Sequence, residues 1–156
     1  MSQEEPRVIL ETSVGYVLKE AASALRSSME AVLRPLGMTI THYSCLELLA
    51  QRPGLSNSAL ARGAFVSRQA MNVLLQSLER DGFVSRPAAA PVGRALPAQL
   101  TEHGRRRLDA ASAAVRAVEV QMLSRLADGE ADQLRRLLTL CVSGLATAPS
   151  GGSGGA

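Results

Sequence analysis

The chain has 156 residues, 46% of them apolar and 20% charged, with a formal net charge of +3. That length fits one domain with a real core, and that balance excludes disorder throughout. Aromatic residues make up 3% and Trp is absent, so a core of Leu, Val, Ala and Met favours helices packed through aliphatic stripes over a β-sandwich.

Val14, Val17, Leu18, Ala21, Leu25, Met29, Val32 and Leu33 recur at helical spacing and predict one long amphipathic helix from Leu10 to Leu33, ended by Pro35 and Gly37. Thr39 is the expected cap of a second helix running through Arg52, with Leu46, Leu49 and Ala50 inward and Pro53-Gly54 as its stop. Ser56 caps a short third helix that buries Leu60 and Ala61 and ends near Ala64. Ser67 caps the fourth, whose stripe is Met71, Leu74, Leu75 and Leu78 and which Gly82 terminates. Phe83 to Arg86 reads as a short strand, with a return expected over Leu96 to Leu100 that Pro97 weakens. Thr101 then opens a long helix with Leu108, Ala111, Val115, Val118, Met122 and Leu126 as a seam. Asp128-Gly129 breaks it, and Leu134, Leu137, Leu138, Cys141, Val142 and Leu145 mark a last helix before a Gly/Ser tail.

The expected fold is therefore mainly α with one small β-hairpin. Its parts are an N-terminal helix over 1–35, a compact middle over 36–100, C-terminal helices over 101–148 and a flexible tail over 149–156. The seam from Leu108 to Leu126 and the stripe from Leu134 to Leu145 exceed what one compact domain covers, which predicts an interface between two copies. Nothing approaches the roughly eighteen apolar residues of a membrane helix, and the acidic start from Met1 to Pro6 does not read as a signal peptide. Cys45 and Cys141 lie far apart and match no C-x-x-C pattern, so reduced thiols and a cytoplasmic location are expected.

Charge is unevenly spread. Between Arg62 and Arg107 stand eight Arg residues against Glu79, Asp81 and Glu102, a local excess that suits a polyanion or, more blandly, solvated helix faces. The fourth helix turns Arg68, Gln69, Asn72, Gln76 and Arg80 away from its apolar stripe. Two short helices joined by a tight turn, the second polar at its N-terminal half, fit the major groove of DNA. Ser67, Arg68, Gln69 and Asn72 suit that task, because Arg makes two hydrogen bonds to guanine and Gln or Asn two to adenine. Arg86 and Arg94 are candidate cations of the hairpin. The same polar face would also serve an ordinary solvent-facing helix.

Four segments resemble the MarR family of regulators, over about Val14 to Leu145. Leu36-Gly37-Met38-Thr39 resembles the family's "lGlT", and Ser58-Ala59-Leu60-Ala61 its "seLA". Leu78 to Val84 resembles "LekrGlv", and Leu100-Thr101-Glu102-His103-Gly104 resembles "LTxxG". The resemblance implies a winged helix-turn-helix, with Ser67 to Asp81 as recognition helix and Phe83 to Leu100 as wing. It further implies a homodimer held by the terminal helices, double-stranded DNA with a pseudo-palindromic operator as partner, and a small aromatic ligand that releases the DNA. His42 and Tyr43 sit where family ligand pockets open. The family's wing carries Asp-Arg-Arg, whereas this chain has Val92-Gly93-Arg94 and keeps only the second Arg.

The rival readings are a winged-helix module that binds protein instead of DNA, and a thiol-based redox sensor using Cys45. His42 and Cys45 share a helix face, but zinc takes three or four ligands and no third is in prospect. No cofactor or metal is expected. With no G-x-S-x-G, no P-loop, no dinucleotide fingerprint and no carboxylate cluster, an enzyme is not expected either.

Overall fold

The computed structural model describes residues 6–86 and 98–146. These include α1 (Val14–Leu33), α2 (Ile40–Gln51), α3 (Asn57–Gly63), α4 (Arg68–Arg80), β1 (Val84–Ser85), β2 (Gln99–Leu100), α5 (Glu102–Leu123) and α6 (Glu130–Ala146). The chain forms two compact units, residues 1–119 and 120–156, with α5 running from the first into the second.

The helix starts follow from local chemistry. Ser13, Thr39, Ser56 and Ser67 each sit in extended backbone and accept a hydrogen bond from the N–H three residues on. Each bond satisfies one of the donors a helix start leaves unpaired, worth about 1 kcal/mol per cap. At α2 the cap is reciprocal, because the Thr39 N–H donates to His42 Nδ1 at 3.2 Å. A turn of 3-10 helix over Leu10–Thr12 replaces the first turn of the expected long helix, and α1 proper starts after Ser13.

The first unit has one core. Leu33 of α1, Cys45 and Leu46 of α2, Leu60 of α3 and Met71, Leu75 and Leu78 of α4 are all essentially inaccessible. Burying each aliphatic side chain of this kind contributes about 1.5–3 kcal/mol. α5 adds Leu108 and Ala111 to the same core. The hairpin is antiparallel, pairing Val84 with Leu100 and Ser85 with Gln99. Its paired part is shorter than the two predicted strands; in the return Ala98 is buried but unpaired with β1, and Leu96 and Pro97 lie outside the described residues.

The expected apolar seams divide. In α5, Leu108 and Ala111 belong to the core with Val115 packed against it, and Val118 is buried as well, so that half of the seam is covered inside the protomer and is not spare surface. Met122 and Leu126 stay exposed, and α6 has no buried residue at all, with Leu137, Leu140 and Leu145 open to solvent. α1 divides too: Met29, Val32 and Leu33 pack on the core, whereas Val14, Val17 and Leu18 are exposed.

Candidate nucleic-acid interface

α4 places its residues as its periodicity dictates. Met71, Leu74, Leu75 and Leu78 face the core. Arg68, Gln69, Asn72, Gln76 and Arg80 stand exposed on the other side. Ser67 accepts from the Ala70 N–H at 3.1 Å, which leaves its hydroxyl proton free to donate. From Leu48 to Leu78 the chain holds Arg52, Arg62 and Arg68 and no carboxylate. The start of α4 therefore presents a positive, donor-rich surface, to which the helix dipole adds.

Two predicted contacts are modified by their surroundings. Asn72 Oδ1 accepts from Asn57 Nδ2 at 2.9 Å, tying the starts of α3 and α4 together. To read adenine with two bonds, Asn72 must either share Oδ1 between Asn57 and the base or give up Asn57, while its amide nitrogen is available in both cases. Sequence periodicity gave no sign of Asn57, whose role comes from a contact fifteen residues away. Arg86 is half-buried, its Nε 3.7 Å from Glu79 Oε2, so it braces β1 against α4 before it can serve any partner. Arg94 and Val92 lie outside the described residues.

The wing is anchored by the Thr101 to Gly104 segment. Thr101 donates through Oγ1 to the Gly82 carbonyl and accepts from the Gly104 N–H at 3.0 Å, while its own N–H reaches the Phe83 carbonyl at 3.1 Å. One threonine thus caps α5 and fastens it to the end of α4.

His42 and Tyr43 part company. His42 Nδ1 is occupied by the cap of α2, and burial lowers its pKa, which keeps the ring neutral as the cap requires. Tyr43 lines an open cleft of about 230 Å³ with Ser44, Glu47, Leu48, Gln51, Arg52 and Gly63. Burial and the neighbouring Glu47 push its hydroxyl up to about 12, with Ser112 of α5 acting in the opposite direction. Glu47 stands one turn after Tyr43 on the same helix, whereas Ser112 comes from α5, and neither was foreseen as a neighbour of the tyrosine. Cys45 is fully buried, 3.7 Å from Met71 Sδ, and burial raises its thiol to about 11. That environment suppresses the thiolate a redox sensor needs. Among the described residues no three metal-ligating side chains come together.

A comparison with known families matches residues 36–95 to the MarR family. The HTH-type transcriptional repressor Rv2887 of Mycobacterium tuberculosis is 44% identical over 125 residues, 80% of this chain and 90% of the relative. The chain belongs to the MarR family. Solved structures agree. That of Rv2887 in complex with DNA has a TM-score of 0.70 and 40% identity, covering 83% of this chain and 98% of that one. Rv2887 with salicylic acid gives 0.69 and 42%, covering 83% and 96%. CouR from Rhodococcus jostii RHA1, bound to p-coumaroyl-CoA, gives 0.73 and 25%, covering 83% and 91%. In this MarR-family chain α3 and α4 are accordingly the helix-turn-helix and β1–β2 the base of the wing. Among the described residues no helix is long and apolar enough to cross a membrane.

Proposed function

We propose that the chain is a DNA-binding transcriptional repressor that acts as a cytoplasmic homodimer, performs no chemistry, and is released from its operator by a small aromatic acid. The observation that carries DNA binding is the exposed Ser67–Arg68–Gln69 turn at the start of α4, in a stretch without carboxylates and backed by a fully buried stripe. A helix so held enters the major groove with its first turn against base edges. Its relative Rv2887 has been solved with DNA. Dimerisation is supported by the uncovered apolar residues of α1 (Val14, Val17, Leu18) and, separately, of α6 (Leu137, Leu140, Leu145).

The test is a selection of duplexes from a randomised pool by the wild-type protein, followed by anisotropy titration. Arg68→Ala should lose about 1–3 kcal/mol on the selected duplex and relax the preference at one base pair per half-site. An unchanged affinity and preference would refute the assignment.

Release by ligand is supported by the Tyr43 cleft, where Arg52 can meet a carboxylate and the tyrosine ring an aromatic face. Relatives have been solved with salicylic acid and with p-aminosalicylic acid. A ligand releases DNA only if it binds the non-binding dimer geometry better than the binding one. Salicylate should therefore weaken the selected duplex, and Tyr43→Ala should blunt that effect while leaving the ligand-free affinity in place.

A further inference from the structure

Three helix ends of this protein close in the same way. After α1 and its short 3-10 extension, the Met38 N–H bonds to the Leu33 carbonyl and the Gly37 N–H to Arg34. After α4, Phe83 bonds to Leu78 and Gly82 to Glu79. After α3, Val66 bonds to Ala61 at 3.0 Å and residue 65 to Arg62 at 3.2 Å. This paired pattern puts one residue in left-handed backbone, where glycine is favoured because a Cβ crowds the chain. Glycine holds the place at Gly37 (φ +69) and Gly82 (φ +77), but the third place is held by Phe65, at φ +59. Its ring is 94% exposed.

Phe65 thus opposes folding through its backbone, which glycine would relieve, and its uncovered ring gains almost nothing in return. What the ring serves lies outside the protomer. Phe65 stands two residues ahead of Ser67, which caps α4, and between the exposed cations Arg62 and Arg68. Its chain neighbours Ala64 and Val66 are half-buried, so along the turn from α3 to α4 the ring is the one large apolar group standing in the open, flanked by Arg62 and Arg68. A protein partner would meet a contiguous apolar patch with few charges. In the major groove the apolar feature on offer is the C5 methyl of thymine, which Phe is suited to contact.

We infer that Phe65 is a specificity-determining residue that packs on a thymine methyl at the edge of the groove entered by α4. The inference rests on the DNA-binding reading above and adds a position read by an apolar contact from the turn.

The experiment uses the full chain and the selected duplex, with each thymine replaced in turn by deoxyuridine. Loss of one buried methyl should weaken wild type roughly fourfold per half-site at a single thymine. Phe65→Gly should melt no lower than wild type, bind the thymine duplex more weakly, and be indifferent to that uracil. If the glycine variant fails to fold, Phe65→Asn, which tolerates the same backbone, takes its place. Equal uracil sensitivity in wild type and variant, or none in either, overturns the inference. Arg68→Ala separates the levels. If it loses affinity and Phe65→Gly does not, the thymine contact falls and the DNA reading stands; if neither loses affinity, the reading of the whole face falls, and a protein partner for Phe65 takes its place.

Discussion

Gly104→Ala should be among the most damaging single-methyl additions in this protein. A Cβ at Gly104 would lie 2.8 Å from the Phe83 carbonyl carbon and 3.1 Å from its Cα, with the carbonyl oxygen nearer still. All three are backbone atoms of the segment joining α4 to β1, and the Thr101 hydrogen bonds hold that segment against α5. No rotamer change can relieve the clash, so α5 or the wing strand must move. Forcing a methyl into a closed contact costs about 3 kcal/mol. Alanine returns about 1 kcal/mol of helix propensity. The net loss is about 2 kcal/mol, which for a domain of this size lowers Tm by roughly 4–8 °C. Gly144→Ala in α6 is the control: its Cβ meets nothing within 4 Å, so only the propensity gain of up to about 1 kcal/mol remains. Thermal melts followed by far-ultraviolet circular dichroism on both variants decide the matter. A Gly104→Ala protein that melts with wild type would refute the close approach of α5 to Phe83. Gly144 follows Leu140 by one turn and Leu137 by two, so a Gly144→Ala protein that melts well below wild type would mean that a second copy covers this site.

His42 has its pKa lowered by burial, so the folded state resists a proton that the unfolded chain takes up near pH 6.5. Its contribution is complete above that pH and is lost as pH falls toward the folded value; His42→Gln, which can keep the reciprocal cap, should flatten urea-derived stability over that acid window, and an unflattened profile would show that the ring is not the source. Cys45, with its thiol raised to about 11, should be on the order of a thousandth ionised at pH 8. A thiol reagent should therefore modify it only after denaturation, and rapid modification of Cys45 in the native protein would restore the redox alternative.

Local chemistry made the helix ends legible in the sequence. A serine or threonine at a helix start acts on an N–H three residues away, so Thr39, Ser56 and Ser67 could be placed as caps before any tertiary contact was known. The α4 stripe was equally legible, because a period of three and four residues decides which side of a helix meets the core. The polar face that the family resemblance makes the DNA reader followed as its complement.

Tertiary structure decided which apolar residues are spent within the protomer. Leu108, Val118, Met122 and Leu126 belong to one apolar seam in the sequence, yet the first two are buried and the last two are not, because burial depends on which other side chains the fold brings against each. It decided that His42 caps a helix while Tyr43 lines a cleft, and that Asn57 holds Asn72. It also turned Thr101 and Gly104 from a motif into a mechanism, a cap and a missing Cβ that let α5 touch the end of α4. These contacts join residues remote in the chain, and periodicity reports only the face a residue occupies, never the partner it meets there.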